Sequence, residues 1–336
     1  MPIRSVRAAC LSALAALLWG CASAPDEPYY TPSAAQPFDF AKSSVFEDYV
    51  RHTEAQLRSH RVFFAPDAAG KEQELRQVAP FVLPTPAHCG RPSKGILLVH
   101  GLLDSAFALK DIGLALAQDC YLVYGLLLPG HGTRPADLFR VHKDHWLAAV
   151  RFGVRALGTQ VDDVSLMGFS LGGALSTHIT WQEPSVRRLV LMAPALELSY
   201  PTLSSLAAWY RHIADWVDVG PPYLPVRYQS MPTQAVAQTY ALTRDLHKNL
   251  EERPLTQPVF VLLSADDFIV DATGILRRFS AHMPHPRSQA WAYGQLPNAP
   301  QDPRITQIPV LDPAEKIVNF SHVALSYHPD NPVFGR

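Results

Sequence analysis

The sequence has few charged residues and no cluster of positive ones. Asp, Glu, Lys and Arg make up only 18% of its 336 residues, and the formal net charge is -1. A protein that binds nucleic acid needs a basic surface to neutralise the phosphates, and no block of Lys and Arg is present to form one. We therefore predict no nucleic-acid partner.

The motifs that hold metals and phosphates are also missing. The histidines form no His-Glu-x-x-His pattern, and the four cysteines include no Cys-x-x-Cys pair. His142 and His145 have a spacing that is common at the exposed start of a helix. The glycine-rich loop that cradles nucleotide phosphates is absent as well. The sequence therefore predicts no cofactor and no metal.

Residues 1–20 are predicted to be a signal peptide. Arg4 and Arg7 precede an apolar run from Ala8 to Leu18, which is too short to span a bilayer and is closed off by small residues. The run ends in Leu18-Trp19-Gly20-Cys21, which resembles the lipobox of bacterial lipoproteins although Trp19 replaces the usual small residue. The resemblance implies that Cys21 becomes the lipid-carrying N-terminus.

A lipid on Cys21 would hold an exported protein at a membrane. Ala22, rather than Asp, in the next position resembles the signal for sorting to the outer membrane, facing the periplasm. The alternative is ordinary cleavage after a small residue, which would release a soluble periplasmic or secreted protein. Residues 21–45 are interpreted as a tether between the anchor and the folded body, because Pro25 to Pro37 has little periodicity.

Two cysteines remain for the folded body, because Cys10 leaves with the signal peptide and Cys21 is assigned to the lipid. Cys89 and Cys120 are an even pair in an oxidising compartment, where disulfides persist. Each lies just ahead of a predicted strand, so the two could meet at one edge of a sheet. Two buried free thiols are the other possibility, since spacing alone does not fix the geometry of a disulfide.

Apolar runs alternate with amphipathic stretches from Pro92 onward, and 48% hydrophobic residues suffice for a large core. Nearly continuous Val, Leu and Ile runs predict parallel strands that helices cover on both faces. The pattern predicts an α/β fold with a mostly parallel, doubly wound sheet, in one domain from residue 46 to residue 336. The predicted strands are 96–99, 121–128, 164–167, 188–192 and 259–263, and the predicted helices are 48–61, 106–118, 145–157 and 171–182.

One stretch interrupts the alternation, from about residue 196 to residue 255. It is rich in aromatic residues and proline, and it is several times longer than an ordinary connection. We interpret it as a helical cap inserted over the sheet. The alternative is a peripheral subdomain that lines no binding site.

The strongest signal is the run Val164-Ser165-Leu166-Met167-Gly168-Phe169-Ser170-Leu171-Gly172-Gly173. A predicted strand stops, turns at Ser170 and enters a predicted helix at once, so that the hydroxyl would stand above the sheet. Gly168 and Gly172 remove side chains that would collide with the neighbouring backbone. This context is typical of a nucleophilic serine.

Two further turns follow neighbouring predicted strands. They are Leu98-Val99-His100-Gly101-Leu102-Leu103 and Leu128-Pro129-Gly130-His131-Gly132-Thr133, and both His100 and His131 are interpreted as structural. With the Ser170 elbow, these turns resemble the α/β-hydrolase superfamily, most closely the branch of monoacylglycerol lipases, carboxylesterases and the serine aminopeptidase (S33) domain. The resemblance covers roughly residues 93–325.

The resemblance implies a catalytic triad in the chain order serine, acid, histidine. Ser170 would be the nucleophile, and the backbone amides of Leu102 and Leu171 would form the oxyanion hole. Asp267, after the strand 259–263, matches the position of the acid in this superfamily. Asp266 is the first alternative and Asp271 the second.

His322 is the predicted base, because it lies between two apolar stretches after Asp267, as a loop residue at a strand end would. It follows the acid by about 55 residues, which requires an insertion around residues 295–312. His282 and His285 are the alternatives, and His328 is interpreted as an exposed residue of the tail.

These residues together predict a serine hydrolase that cleaves carboxylic esters through an acyl-enzyme intermediate, and the aromatic cap suggests an acyl or other apolar substrate group. A peptidase, amidase or thioesterase of the same fold is the enzymatic alternative, because the cap decides specificity and has no readable code. A non-catalytic, membrane-tethered binding protein is the alternative of another class.

Overall fold

The structure is a computed structural model that describes residues 24–310 and 320–334. The predicted signal peptide, residues 1–20, and the proposed lipidation site, Cys21, lie outside the described residues. Among the helices that are described, none has the length and apolarity needed to cross a membrane.

A twisted sheet of eight strands forms the centre of the fold. Its spatial order is β1-β3-β2-β4-β5-β8-β9-β10, and every neighbouring pair is parallel except β1 with β3. Two more strands, β6 and β7, pair separately as an antiparallel ribbon. The strands are β1 (Phe81–Leu83), β2 (Lys94–Val99), β3 (Tyr121–Leu126), β4 (Asp163–Phe169), β5 (Val186–Met192), β6 (Trp216–Asp218), β7 (Met231–Pro232), β8 (Val259–Ser264), β9 (Gln289–Tyr293) and β10 (Ile305–Ile308).

Helices flank this sheet, which confirms the predicted fold class. They are α1 (Phe46–His60), α2 (Ala68–Val78), α3 (Lys110–Gln118), α4 (Lys143–Gly158), α5 (Leu171–Thr180), α6 (Pro201–Tyr210), α7 (Thr233–Glu252) and α8 (Ala272–His282). The apolar side chains of β2, β4 and β5 form one continuous core with α4 and α5. Parallel strands bury both faces in this way, which is why their sequences are apolar almost throughout.

The five strands predicted from continuous apolar runs are all present, whereas β1, β9 and β10 were not predicted. β1 has only three residues, β9 alternates between exposed and buried positions, and β10 is half-exposed at the sheet edge. Short or edge strands lack the continuous apolar run that identifies a buried strand.

Residues 196–255 contain α6, the β6–β7 ribbon and α7. The long helix α7 packs on α5 and α4, and the Thr243 hydroxyl donates to the Ala195 carbonyl over 2.8 Å. The segment before β7 is bound to the loop after β2, because Tyr228 N donates to Leu103 O at 2.7 Å and Ser105 Oγ donates to Val226 O at 2.6 Å. The inserted segment is therefore attached directly to the loop that follows β2.

The N-terminal region described in the structure packs against the body. Tyr29 and Tyr30, within the predicted tether, are 4% and 7% exposed. Arg61, after α1, forms a buried ion pair with Glu74 and donates to the carbonyls of Gly132 and Pro225. This single guanidinium therefore connects α2, the turn after β3 and the inserted segment.

Cys89 and Cys120 form a disulfide, with Cα atoms 5.5 Å apart. It joins the segment before β2 to the turn before β3, the two neighbouring positions that the sequence suggested. His88 lies close to both sulfur atoms, but a disulfide leaves neither cysteine free to bind a metal.

Candidate active site

Ser170 lies at the turn between β4 and α5, in the position that the sequence predicted. Its φ of 53° is in the left-handed region, which is unusual for a residue other than glycine. The backbone is held on both sides: Ser170 N donates to Met192 O at 2.9 Å, and Ser170 O accepts from Ala195 N at 2.9 Å. Fixed strain of this kind is common at nucleophiles that must project from a sharp turn.

The elbow is possible only because its flanking residues have no side chains. A Cβ on Gly172 would lie 2.0 Å from the carbonyl oxygen of Val99, and one on Gly168 would lie 2.3 Å from the carbonyl oxygen of Gly172. Both neighbours are backbone atoms, which cannot move aside as a side chain can. The packing of β2 against the start of α5 therefore requires glycine at residue 172.

Asp267 and His322 are brought together although 55 residues separate them in sequence. The Asp267 Oδ2 atom lies 2.5 Å from Nδ1 of His322, and the two side chains are 1% and 11% exposed. The other oxygen, Oδ1, accepts from the backbone N of Ile269 at 2.8 Å and of Val270 at 3.1 Å. Three hydrogen bonds therefore fix the carboxylate with one oxygen directed at the imidazole.

The alternative acids have other positions. Asp266 is exposed, and the Ser264 hydroxyl accepts from its backbone N at 3.1 Å. Asp271 caps α8, because its side chain accepts from Gly274 N at 2.9 Å. Neither carboxylate has a hydrogen bond to a histidine among the described residues.

The alternative histidines also lie apart from Asp267. His282 ends α8, and the His285 ring accepts from the backbone N of Arg287 at 3.1 Å. The side chain of His328 is 62% exposed and lies 3.7 Å from Asp330, as expected for a residue of the tail.

The loop that carries His322 is attached beside the elbow. The Ser264 hydroxyl, at the end of β8, donates to the Phe320 carbonyl at 2.6 Å. The His322 ring lies 5.0 Å from the ring of Phe169, centroid to centroid, and Phe169 immediately precedes Ser170. The imidazole therefore lies next to the serine turn, at the carboxyl end of the parallel strands.

The loop after β2 lies against Ser170 from the other side. A Cβ on Gly101 would be 3.2 Å from the Cβ of Ser170. Within the described part of the chain, the backbone amides of Leu102 and Leu171 have no hydrogen-bond acceptor. Two free amides flanking a serine hydroxyl are the arrangement that can stabilise an oxyanion.

Comparisons with known proteins agree with this architecture. Residues 90–249 match the family described as serine aminopeptidase, S33. Over 182 residues the chain is 24% identical to a thermostable monoacylglycerol lipase from Bacillus sp., an alignment that covers 52% of this chain and 71% of that protein.

Two solved structures share the fold. One is described under LipS and LipT, two metagenome-derived lipolytic enzymes, with a TM-score of 0.56 and 19% identity over 63% of this chain and 86% of that one. The other is a monoacylglycerol lipase from Paleococcus ferrophilus, with a TM-score of 0.52 and 19% identity over 63% of this chain and 87% of that one. The chain has the α/β-hydrolase fold.

The two motif histidines of this hydrolase are structural, in agreement with the sequence interpretation. Leu128 N donates to Nε2 of His100 at 2.9 Å, and Leu103 N donates to Nε2 of His131 at 3.2 Å. Burial lowers the pKa of His100 well below its usual value and that of His131 to about 4. Both rings therefore stay neutral, and a neutral ring nitrogen can accept these bonds.

The bond from Leu103 has a direct consequence for the α/β-hydrolase site. Leu103 has a φ of 66°, so it also lies in the left-handed region. Its backbone N donates to His131 Nε2, and its carbonyl oxygen accepts from Tyr228 N. Leu103 is therefore held at both its amide and its carbonyl, and it directly follows Leu102.

Asp104 is a residue that the sequence analysis did not single out. It is 3% exposed, and burial raises its pKa to about 6, while the charges of Arg227 and His322 act in the opposite direction. Its Oδ1 accepts from Ser105 N at 3.0 Å. The sequence does contain a signal that could have identified Asp104, because it is an acidic residue four positions after His100 in an otherwise apolar loop.

A cavity of about 490 Å³ lies between residues 32–57 and residues 127–148. Gly130 and His131 border it, but Ser170, Asp267 and His322 do not. The cavity is therefore separate from the candidate active site of the hydrolase.

Proposed function

We propose that this α/β-hydrolase cleaves carboxylic esters, with Ser170 as nucleophile, His322 as base and Asp267 as the residue that orients the base. The observation that carries the proposal is the hydrogen bond of 2.5 Å between Asp267 and His322, beside the strained serine turn. A serine hydroxyl is unreactive at neutral pH unless an imidazole takes its proton, and a carboxylate must hold that imidazole in the correct tautomer.

In the first half of the reaction, the Ser170 oxygen attacks the ester carbonyl carbon while Nε2 of His322 takes the hydroxyl proton. The carbonyl oxygen becomes an oxyanion that accepts hydrogen bonds from the amides of Leu102 and Leu171, and each such donor contributes about 3 kcal/mol. The tetrahedral intermediate then expels the alcohol, which receives the proton from His322. Ser170 is left carrying the acyl group.

In the second half, a water molecule attacks the acyl-enzyme. His322 accepts one proton of this water, the oxyanion forms again at the same two amides, and the proton returns to Ser170 as the acid leaves. Asp267 stays ionised throughout and stabilises the imidazolium that forms twice. The hydrogen bonds from Ile269 N and Val270 N hold its carboxylate in place.

The choice of an ester is supported by the relatives, because the Bacillus protein and the Paleococcus protein are described as monoacylglycerol lipases. An exposed aromatic side chain at the cap, Tyr200, is compatible with an apolar acyl substrate. The serine aminopeptidase description of the matching family keeps amide cleavage as the second candidate. Thioester cleavage would use the same residues.

A fluorophosphonate probe tests the nucleophile, because it reacts only with an activated serine. We expect labelling of the wild type and of Ser176→Ala, and none of Ser170→Ala. Ser176 is a matched control, since it lies on α5 and is fully buried. A folded wild type that stays unlabelled would instead support a non-catalytic binding protein. p-Nitrophenyl esters of increasing chain length, compared with aminoacyl amides, would then separate esterase from peptidase.

The roles of Asp267 and His322 are tested by comparing substitutions at each residue with the same substitution at the alternative candidate. Asp267→Asn is expected to lower kcat by about 10³- to 10⁴-fold, because the amide holds the wrong tautomer of His322. Asp266→Asn, one position away and exposed, should change kcat by less than about threefold. His322→Ala should abolish turnover and His285→Ala should not; the reverse result would reject His322 as the base.

The same proposal places the enzyme outside the cytoplasm, with residues 1–20 removed and a lipid on Cys21 that anchors it to the outer membrane, facing the periplasm. Its support is the charged start, the short apolar run and the Leu18-Trp19-Gly20-Cys21 motif. We expect a signal peptidase II inhibitor to cause a precursor to accumulate in cells, and Cys21→Ser to have the same effect. Normal processing in both cases would exclude the lipid and favour a soluble exported protein.

A further inference from the structure

The inserted segment carries an exposed apolar face that the fold does not cover. Helix α6 has the sequence PTLSSLAAWY and contains no charged residue. Leu206 and Trp209 lie three residues apart on this helix, and Ile213 lies in the turn that follows it; the three residues are 55%, 66% and 53% exposed. A helix that faces water usually presents charged residues on its outer side, so this outer side is unusual for a solvated helix.

The exposed surface continues to the rim of the active site. An antiparallel bridge between Leu198 and Val270, with Ser199 N donating to Ile269 O at 3.1 Å, puts Tyr200 opposite Phe268. These two side chains are 59% and 63% exposed. Phe268 and Ile269, which follow Asp267 directly, are therefore exposed apolar residues beside this acid, whereas Val270 is buried.

We call these six residues, Tyr200, Leu206, Trp209, Ile213, Phe268 and Ile269, the apolar face. Isolated exposed apolar side chains are normal on a protein surface, but a group that begins at the triad acid and runs along an uncharged helix indicates a binding surface. Trp and Tyr are the side chains that favour the boundary between water and lipid, because each combines a large apolar ring with a polar atom.

The N-terminal segment reaches the cap on which the apolar face lies. The Tyr30 ring packs edge-on against Trp216 at 6.1 Å, and its hydroxyl donates to Gly220 O at 3.2 Å. Trp216 comes three residues after Ile213. Cys21 precedes Tyr30 by nine residues, and an extended chain of that length spans at most about 30 Å. A lipid on Cys21 would therefore hold the cap close to a membrane.

We propose that the apolar face docks on the surface of a phospholipid bilayer, with α6 lying in the headgroup region and the rim at Phe268 turned toward the lipid. An ester dissolved in the membrane would then reach Ser170 without crossing water. The inference deepens the proposed function, on which its role in substrate delivery rests, but docking itself requires no catalysis.

The test compares two double variants in the mature chain from residue 21, which carries Cys21→Ser and is exported with a non-lipoprotein signal. Leu206→Ser/Trp209→Ser removes the centre of the apolar face. Val45→Ser/Leu114→Ser removes two apolar side chains that are about half-exposed, at 48% and 49%, from outside the cap. Binding is measured by flotation with vesicles of equal parts phosphatidylethanolamine and phosphatidylglycerol.

We expect the parent chain and the Val45/Leu114 variant to float with the vesicles, and the Leu206/Trp209 variant to bind about tenfold more weakly or worse. All three should hydrolyse soluble p-nitrophenyl butyrate at equal rates. Ser170→Ala should bind vesicles like the parent, so a failure of the catalytic proposal is distinguishable from a failure of docking.

Three results would overturn the inference. The first is a parent chain that does not bind vesicles, and the second is a Leu206/Trp209 variant that binds them as tightly as the parent. The third is a parent chain that sediments as a dimer without binding vesicles while the Leu206/Trp209 variant is a monomer, because the apolar face would then be covered by a second copy.

Discussion

At the scale of single residues, the candidate site depends on side chains whose charge is controlled by burial. His100 and His131 stay neutral, which lets them accept hydrogen bonds from Leu128 N and Leu103 N. The Asp267 side chain is also buried, but two backbone amides and an imidazole surround its carboxylate. His100 and His131 therefore act as fixed acceptors, whereas His322 is hydrogen-bonded to a carboxylate.

Asp104 is expected to destabilise the folded enzyme at neutral pH. Burial raises the pKa of its carboxyl from 3.8 to about 6, so the folded state binds this proton more tightly than the unfolded state does. The free energy of unfolding therefore falls as pH rises through this range, and the full cost is present above about pH 6. Asp104→Asn keeps an acceptor for Ser105 N but carries no charge.

We expect Asp104→Asn to raise the free energy of unfolding at pH 8 by about 1 to 3 kcal/mol relative to the wild type, and to make little difference near pH 4. Urea unfolding at the two pH values measures this. Asp119→Asn, at an exposed position, is the control and should show no such dependence. An Asp104→Asn chain less stable than the wild type at pH 8 would mean that the carboxylate makes a favourable ionic contact.

At the scale of elements, the elbow joins β4 to α5 while β2 runs alongside. Val99 at the end of β2 pairs with Gly168 in β4, which brings the Val99 carbonyl against the first turn of α5. The close approach that lifts Ser170 therefore depends on three elements at once. A glycine in the sequence can permit this approach, but only the strand order makes it necessary.

Gly172→Ala is expected to destabilise the enzyme by more than about 3 kcal/mol or to prevent folding, because its Cβ would lie 2.0 Å from a backbone oxygen. Gly158→Ala is a matched control at the end of α4, where the nearest atom to the added Cβ is a Val164 methyl group at 3.7 Å. That variant should change stability by less than about 1 kcal/mol. Thermal unfolding followed by circular dichroism measures both, and equal melting temperatures for the two variants would contradict the packing argument.

At the scale of the whole molecule, regions distant in sequence meet around one sheet edge. The inserted segment is bound to the loop after β2, Arg61 joins the N-terminal helices to that segment, and the C-terminal loop brings His322 beside the elbow. The Cys89–Cys120 disulfide closes the opposite part of the fold, at the starts of β2 and β3.

Removing the disulfide should lower stability without changing the active site, because the cysteines precede β2 and β3 whereas Ser170 follows the carboxyl end of β4. A crosslink across 31 residues restricts the unfolded chain by about 3 to 4 kcal/mol. Cys89→Ser/Cys120→Ser is expected to lose that amount in urea unfolding. Reductant should destabilise the wild type equally and leave the double variant unchanged; a wild type unaffected by reductant would show that the bridge adds no stability.

The buried parallel strands and the serine elbow could be predicted from the sequence, because both depend on local patterns of residues. Continuous apolar runs identify strands covered on two faces, and glycines at fixed offsets from Ser170 identify a turn that other residues cannot form. The resemblance supplied the chain order serine, acid, histidine, which reduced the candidates for the catalytic acid and base to a few residues. Export and lipidation rest on the first 21 residues alone and stay predictions.

Which of these acids and histidines come into contact depends on the folded chain as a whole. Asp266 and Asp267 are adjacent, and the turn after β8 directs one carboxylate into the site and the other to solvent. His322 reaches Asp267 from 55 residues away, since the Phe320 carbonyl is bound by Ser264. Contacts between distant segments depend on how the whole chain closes, and no local pattern in a sequence records that closure.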